Sequence, residues 1–236
     1  RPLSFWLALL FAGSSLVLGL STLGMAAGLG SLAPQRNQGL IERHVEGSGG
    51  DKIAWIPVHG ILMHSDGGPF SGGDMVEQVL QAIQAAAADA RVKAVVLDVD
   101  TSGGGVTESD EIHHALQALR SEDKEKDKKL VVLMGGVAAS GGYYVSADAD
   151  RILAQPTTIT GSIGVITESF NVEGLLDKVG VRMEVFKSGR FKDMGSPTRP
   201  MSEGDRRLFQ RLVNSMYEKL LTVVLDGRAR VKLSDG

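Results

Sequence analysis

Apolar residues recur along this chain in two rhythms, and the alternation between them lays out the architecture. Residues 53–62 (IAWIPVHGIL) carry the β-branched and aromatic positions of a strand, with Gly60 marking a bend or bulge. Asp74 sits where a helix N-cap belongs and Glu77 follows three residues later. Val76, Val79, Leu80 and Ile83 then fall at helical spacing on one face. Residues 92–99 (VKAVVLDV) are almost continuously apolar, the pattern of a parallel strand buried on both faces. That strand runs into Thr101-Ser102-Gly103-Gly104-Gly105, after which Ile112, Ala115, Leu116 and Leu119 mark a second amphipathic helix. The unit then repeats as an apolar run at 130–133, a glycine-rich turn around Ser140, and a helix carrying Tyr143 and Tyr144. Further on, Arg182–Phe186 reads as a short strand. Ser202 caps a long helix in which Phe209, Leu212, Val213, Met216, Tyr217, Leu220 and Val224 form a wide apolar face, expected to pack on its own domain.

Successive strand–turn–helix units imply an α/β fold with a parallel sheet and right-handed crossovers. Both glycine turns then lie at the carboxyl edge of that sheet, so the 101–105 turn and the Ser140 turn are expected to meet in space. The glycine-rich stretch 65–73 and the mixed-charge stretch 121–129 (SEDKEKDKK) read as solvated loops.

The hydrophobic pattern changes character at the N-terminus. From Pro2 to Gln35 there is no Asp, Glu, Lys or Arg, and the stretch between Leu3 and Leu32 is rich in Leu, Ala and Gly. It exceeds the ~20 apolar residues a bilayer-crossing helix needs and the ~7–15 of a signal-peptide core. Residues 1–35 are therefore expected to be a membrane anchor, a cleaved signal peptide being the alternative that Met25-Ala26-Ala27 offers. Arg1 ahead of it favours a cytoplasmic N-terminus, which puts the remainder outside the cytoplasm. Residues 36–50 read as a polar linker and 51–236 as one globular domain. The absent initiator Met, and an end at Lys232–Gly236, suggest a fragment of a longer protein.

Composition narrows the chemistry. Among 236 residues, 43% are hydrophobic and the net charge is −3, without the clustered basic residues that nucleic acid would require. Cysteine is missing, which removes disulfides, thiolate catalysis and Cys-ligated zinc together. What remains is GGVAASGGYY at 135–144, one hydroxyl set among small residues ahead of two glycines. A nucleophile suits such a place, because small neighbours admit a substrate backbone and glycines permit a tight strand-to-helix turn. Turns and close helix contacts use the same composition, so the cluster alone does not decide. Acyl transfer needs two donors aimed at one oxyanion, and the amides of Gly104 and Gly141, on neighbouring turns, are placed to supply them. No phosphate-binding glycine pattern follows a strand, which leaves nucleotide binding weak.

A serine also needs a proton acceptor. Of the five histidines, His44 falls in the linker, His59 and His64 flank the first strand, and His113 and His114 read as surface or boundary positions on their helix. None lies in a triad signature. A lysine serves as base when burial keeps it neutral. Residues 185–197 (VFKSGRFKDMGSP) hold two, Lys187 and Lys192, between which spacing and composition do not choose. Ser162, in TTITGSIGVI, is either a core hydrogen-bonder or a support for such a lysine.

GGVAASGGYY, TITGSIGVI and KSGRFKDMGSP, in that order, resemble the signal peptide peptidase A family, membrane-bound Ser-Lys proteases of the Clp/crotonase-like fold with its repeated ββα units. The similarity runs from about Ile53 to about Arg228. It implies Ser140 as nucleophile, Lys192 as general base, Ser162 as the hydroxyl that positions the lysine, and Gly104 and Gly141 as oxyanion-hole amides, with Lys187 outside the catalytic set. The resemblance further implies peptide substrates such as remnant signal peptides, membrane lipid around the N-terminal helix, and ring-like homo-oligomers in which adjacent copies can complete a site. No metal or other cofactor is implied. One departure is the turn Asp100-Thr101-Ser102-Gly103-Gly104, where the family usually has Asn-Ser-Pro-Gly-Gly. Without that proline the turn is expected to be less rigid. Two rival readings share the fold: a crotonase-like acyl-CoA enzyme, and a membrane scaffold without a competent dyad.

Overall fold

The structure is a computed structural model that describes residues 41–45, 49–65, 73–120 and 127–229. The chain divides into Arg1–His44 and Val45–Gly236, and the second unit carries the secondary structure described below. The anchor expected over residues 1–35 and most of the linker lie outside the described residues. Among the described residues, no helix is long and apolar enough to cross a membrane.

Four parallel strands form the sheet in the order β1 (Lys52–Leu62), β2 (Val92–Gly104), β3 (Lys129–Ala139) and β4 (Arg151–Ala154). A fifth, β5 (Ile159–Gly161), continues the same edge by pairing with Val137–Ala139 of β3, beyond the stretch that pairs with β4. Helices α1 (Met75–Ala88), α2 (Val106–Gln117) and α3 (Gly141–Ser146) follow the first three strands one by one. Strand–strand–helix order appears only where β4 and β5 precede the short α4 (Glu173–Lys178). The last described element is the long α5 (Glu203–Ala229).

Caps sit where the sequence puts them. Asp74 Oδ1 accepts the Glu77 N–H at 3.2 Å, while the Glu77 carboxylate turns forward to Gln81 at 2.6 Å. The Asp205 N–H donates to Ser202 Oγ at 3.2 Å at the start of α5. Lys128, buried after the 121–126 stretch, closes the other end of α1: its ammonium donates to the carbonyls of Ala86, Ala87 and Asp89 at 2.6–2.8 Å.

The core is one layer thick. Ile56 and Val58 of β1, Val95, Leu97 and Val99 of β2, and Leu130 and Val132 of β3 pack with Val76, Val79 and Ile83 of α1 and Ile112 and Leu116 of α2. Alternate residues on the same strands stay uncovered. Ile53, Trp55 and Ile61 are exposed, and Val96 and Asp98 are half-buried. β2 is thus buried on one face, not on both as its continuous apolar run implies. Both β2 and β3 extend past their apolar runs into the glycine turns, because parallel pairing such as Leu62↔Gly104 and Thr101↔Ala138 carries the ladder that far.

The expected strand at Arg182–Phe186 is absent. The segment has strand-like alternation, but residues 181–187 take no regular structure and pair with no strand of the described chain. The apolar face of α5 is buried near its C-terminal end, where Leu220 and Val223 meet Tyr144 and Ala147, and is half-covered at Phe209, whose ring lies against Gly195. Leu212, Met216 and Tyr217 remain exposed.

Candidate active site

The two glycine turns meet at the carboxyl edge of the sheet, as parallel pairing of β2 and β3 requires. Ile61, Ser102, Gly103, Gly104, Val106, Ser109, Ser140, Gly141, Tyr144, Gly164, Val165, Ile166 and Leu220 line a cleft of about 350 Å³ there. Ser140 stands where β3 ends and α3 begins, at φ 53 and ψ −116. This left-handed conformation is costly for a residue with a Cβ and persists only where its surroundings enforce it.

Those surroundings are visible. The Ser140 N–H donates to the Gly161 carbonyl at 2.8 Å, and its own carbonyl accepts from the Tyr144 N–H at 2.9 Å, fixing both sides of the residue. Its hydroxyl does not cap α3 and has no hydrogen-bond partner among the described residues, so it faces the half-open cleft unengaged.

Glycine is obligatory beside it. Gly103 has φ +93, and a Cβ there would lie 2.6 Å from the Gly141 nitrogen and 3.0 Å from the Ser140 Cβ. At Gly141 a Cβ would run into the Ser109 hydroxyl. The missing proline of this turn is offset by Thr101, whose buried hydroxyl accepts the Gly103 N–H at 3.0 Å. Asp100, where the family pattern has Asn, accepts the Val137 N–H of β3 at 3.0 Å and so ties the turn to the neighbouring strand.

The other expected site residues are placed differently. Ser162 follows β5 in a left-handed conformation (φ 49), one residue beyond the carbonyl that holds Ser140. It is exposed and does not line the cleft, whereas Gly164, Val165 and Ile166 do. Lys192 lies in a turn closed by its own N–H to the Gly189 carbonyl at 3.2 Å. Its side chain is exposed and outside the lining of the Ser140 cleft, so one copy of the chain brings together Ser140, Gly141 and Gly104 but not the lysine. Lys187 is paired with Asp193 at 2.7 Å.

The histidines do not replace it. His59 pairs with Asp98 at 3.3 Å across the open face of the sheet. His64 bridges Asp74 (2.6 Å) and Glu111 (2.8 Å), and the Asp74 bond first, with Glu111 second, raises its pKa to about 9. His113, read from sequence as a boundary residue, is buried. The reason is that α2 packs against α3 as well as the sheet, and the Tyr144 ring meets the His113 ring edge-on at 5.3 Å. Burial pushes His113 down towards the neutral form, although Asp148 lies 3.6 Å away. None of these rings lines the cleft.

Tyr144, Ser109 and Leu220 also line the cleft, although the sequence pattern places Tyr144 and Leu220 only on their helices and gives Ser109 no role. Tyr144 is buried, and its hydroxyl donates to Asp110 of α2, which fixes the ring as part of the cleft wall. The signal for Tyr144 was present in its position one helical turn after Ser140, which forces it back towards the same edge.

Residues 122–234 match the model of peptidase family S49. A provisionally named signal peptide peptidase SppA of Enterococcus faecium is 37% identical over 198 residues, 81% of this chain and 56% of that protein. Protease 4 of Salmonella typhi is 36% identical over 182 residues, covering 77% of this chain and 28% of its own. The chloroplastic serine protease SPPA of Arabidopsis thaliana is 30% identical, covering 72% and 25%. The chain thus spans little more than half the length of the Enterococcus relative and about a quarter of the other two.

Proposed function

We propose that this chain, which belongs to peptidase family S49, the signal peptide peptidase A family, is a membrane-anchored serine endopeptidase working through a Ser140–Lys192 dyad. The observation that carries the reading is Ser140 itself: a residue of strained backbone whose hydroxyl has no hydrogen-bond partner among the described residues, at the point where two glycine turns converge. Strain of this kind collects at functional sites, because only a well-determined surrounding sustains it.

In the proposed mechanism a neutral Lys192 takes the Ser140 proton as the hydroxyl oxygen attacks a peptide carbonyl. The amides of Gly104 and Gly141 receive the oxyanion. Collapse expels the amine, which takes the proton from the lysine. Water, deprotonated by the same lysine, then releases the acyl group and regenerates the serine. Ser162 holds the lysine in line. Because Lys192 is exposed and lies outside the cleft of its own chain, the base for each Ser140 is drawn from an adjacent copy in a homo-oligomer.

The cleft favours small and apolar side chains, since Val106, Val165, Ile166 and Leu220 offer no charge to select a partner. Substrates are accordingly remnant signal peptides and other unfolded apolar segments. Residues 1–35 would anchor the enzyme as a single membrane span, with the Clp/crotonase-like domain on the extracytoplasmic side of the membrane. The test is peptide cleavage by the full chain and its Ser140→Ala and Lys192→Ala variants, alone and mixed. Each variant alone should lose at least ~10³-fold in kcat, whereas the mixture should regain activity because some sites pair an intact serine with an intact lysine. Near wild-type turnover by Lys192→Ala would sink the dyad. Two dead variants that stay dead when co-assembled would sink the shared site.

A further inference from the structure

The loop that carries Lys192 is fastened more heavily than an exposed loop needs to be. Arg199 donates from Nε to Asp193 Oδ2 at 2.8 Å and from one terminal nitrogen to Asp193 Oδ1 at 3.0 Å, a two-pronged grip on the residue next to Lys192. The same nitrogen reaches the Asp193 carbonyl at 3.1 Å. Its other terminal nitrogen donates to Asp205 Oδ2 at 2.7 Å, in the first turn of α5. Asp205 is almost wholly buried and also accepts the Ser202 N–H at 3.0 Å. Lys187 adds a second cation on Asp193 Oδ1 at 2.7 Å. Phe191 closes the other side, packed so tightly on Gly204 that a Cβ there would come within 2.8 Å of its ring.

Two consequences follow from charge and geometry. The planar guanidinium fixes distance and direction at once, so it holds the Lys192 turn in one orientation on α5. In addition, a bare carboxylate beside a general base would favour its ammonium form, the form unable to take a proton. Here both Asp193 oxygens are occupied by cations. The remaining charges around the turn are Arg190 on the same segment, Arg206 and Arg207 on α5, and Glu168 across the hollow that Met194 and Gly195 also line.

Resting on the dyad reading above, we infer that Arg199 is a positioning residue for the base: with Lys187 it clamps Asp193, docking the Lys192 turn on α5 and withholding a carboxylate from the Lys192 ammonium. In support, Arg199 and then Lys187 hold the Asp193 carboxyl well below the usual carboxylate range.

The experiment is the pH profile of kcat/KM for peptide cleavage by the full-chain oligomer, with Lys192→Ala as the reference for loss of the base. Arg199→Gln should lower kcat with little change in KM and move the rising limb to higher pH by about one unit, since the freed Asp193 then stabilises the ammonium. Arg199→Lys should regain only part of the rate. The double variant Arg199→Gln/Asp193→Asn should return the limb to its wild-type position. Lys187→Met, a half-exposed side chain whose loss leaves Arg199 in place, should move the limb the same way by less and serves if Arg199→Gln does not fold.

A merely structural clamp would lower the rate equally at every pH. An unmoved limb in Arg199→Gln and Lys187→Met, or a limb still displaced in the double variant, overturns the proposal. Undiminished cleavage by Lys192→Ala would instead bring down the dyad on which it rests, so the two failures are told apart.

Discussion

Residues 52–161 and residues 162–217 treat their apolar side chains differently. In the first region alternate strand positions disappear into the core, with Ile56 1% exposed and Val58, Val95 and Leu97 fully buried. In the second, Phe170 is 85% and Phe186 95% exposed, and Ile166, Leu175, Met183 and Leu212 also face outward. An exposed leucine by itself means little, but a region of this length that leaves most of its large apolar groups uncovered has the composition of an interface. The contrast falls on the proposed dyad. The nucleophile belongs to the region whose apolar residues the chain itself buries, and the lysine to the region where most of them stay exposed.

The largest effect is expected at the seam. Gly103→Ala places a Cβ 2.6 Å from the Gly141 nitrogen on a backbone at φ +93. It should cost about 10²–10³ in kcat by tilting the Gly141 amide away from the oxyanion. Steady-state kinetics on a folded, assembled variant checks this, and full activity would mean that the two turns do not act together.

Next comes a pair of substitutions that sets the regions against each other. Ile56→Ala should lower the unfolding free energy by about 2–5 kcal/mol in a denaturant titration, because it opens a cavity in a filled core. Phe186→Ser should change it by under about 0.5 kcal/mol and instead make activity depend more steeply on protein concentration. A large stability loss from Phe186→Ser would show that this side chain is covered within its own chain and would break the comparison.

The smallest effect concerns His64, which links the end of β1 to Asp74 and Glu111. Its pKa is raised from 6.5 to about 9, so the two bonds add stability in full below pH 6.5 and lose it as the pH climbs through about 9. The difference in urea midpoint between wild type and His64→Gln should be small at low pH and vanish on the alkaline side. A difference that stays constant across that range would assign the effect to packing instead.

Much of this organisation was legible in the chain. Asp74 and Ser202 announced their helices because a cap is a local arrangement, written in neighbouring residues. The two βα units announced the meeting of the glycine turns because parallel sheets leave few alternatives. Failures came where an element's fate depends on what lies beside it. Arg182–Phe186 alternates like a strand yet has no strand to pair with among the described residues, and β2 reads as doubly buried although one layer of helices covers one face. His113 looked like a boundary residue because its partner, Tyr144, sits on another helix. Arg199 was invisible, since nothing in its immediate neighbours reveals a bond to Asp193 or Asp205.

The bond from the Ser140 N–H to the Gly161 carbonyl has a mechanical consequence. Ala139 pairs with Gly161 on one ladder, and the cleft wall formed by Gly164, Val165 and Ile166 departs from its end. Nucleophile and wall are therefore anchored to one ladder, so the spacing between them is set by a single pair of strands and not by separate parts of the fold.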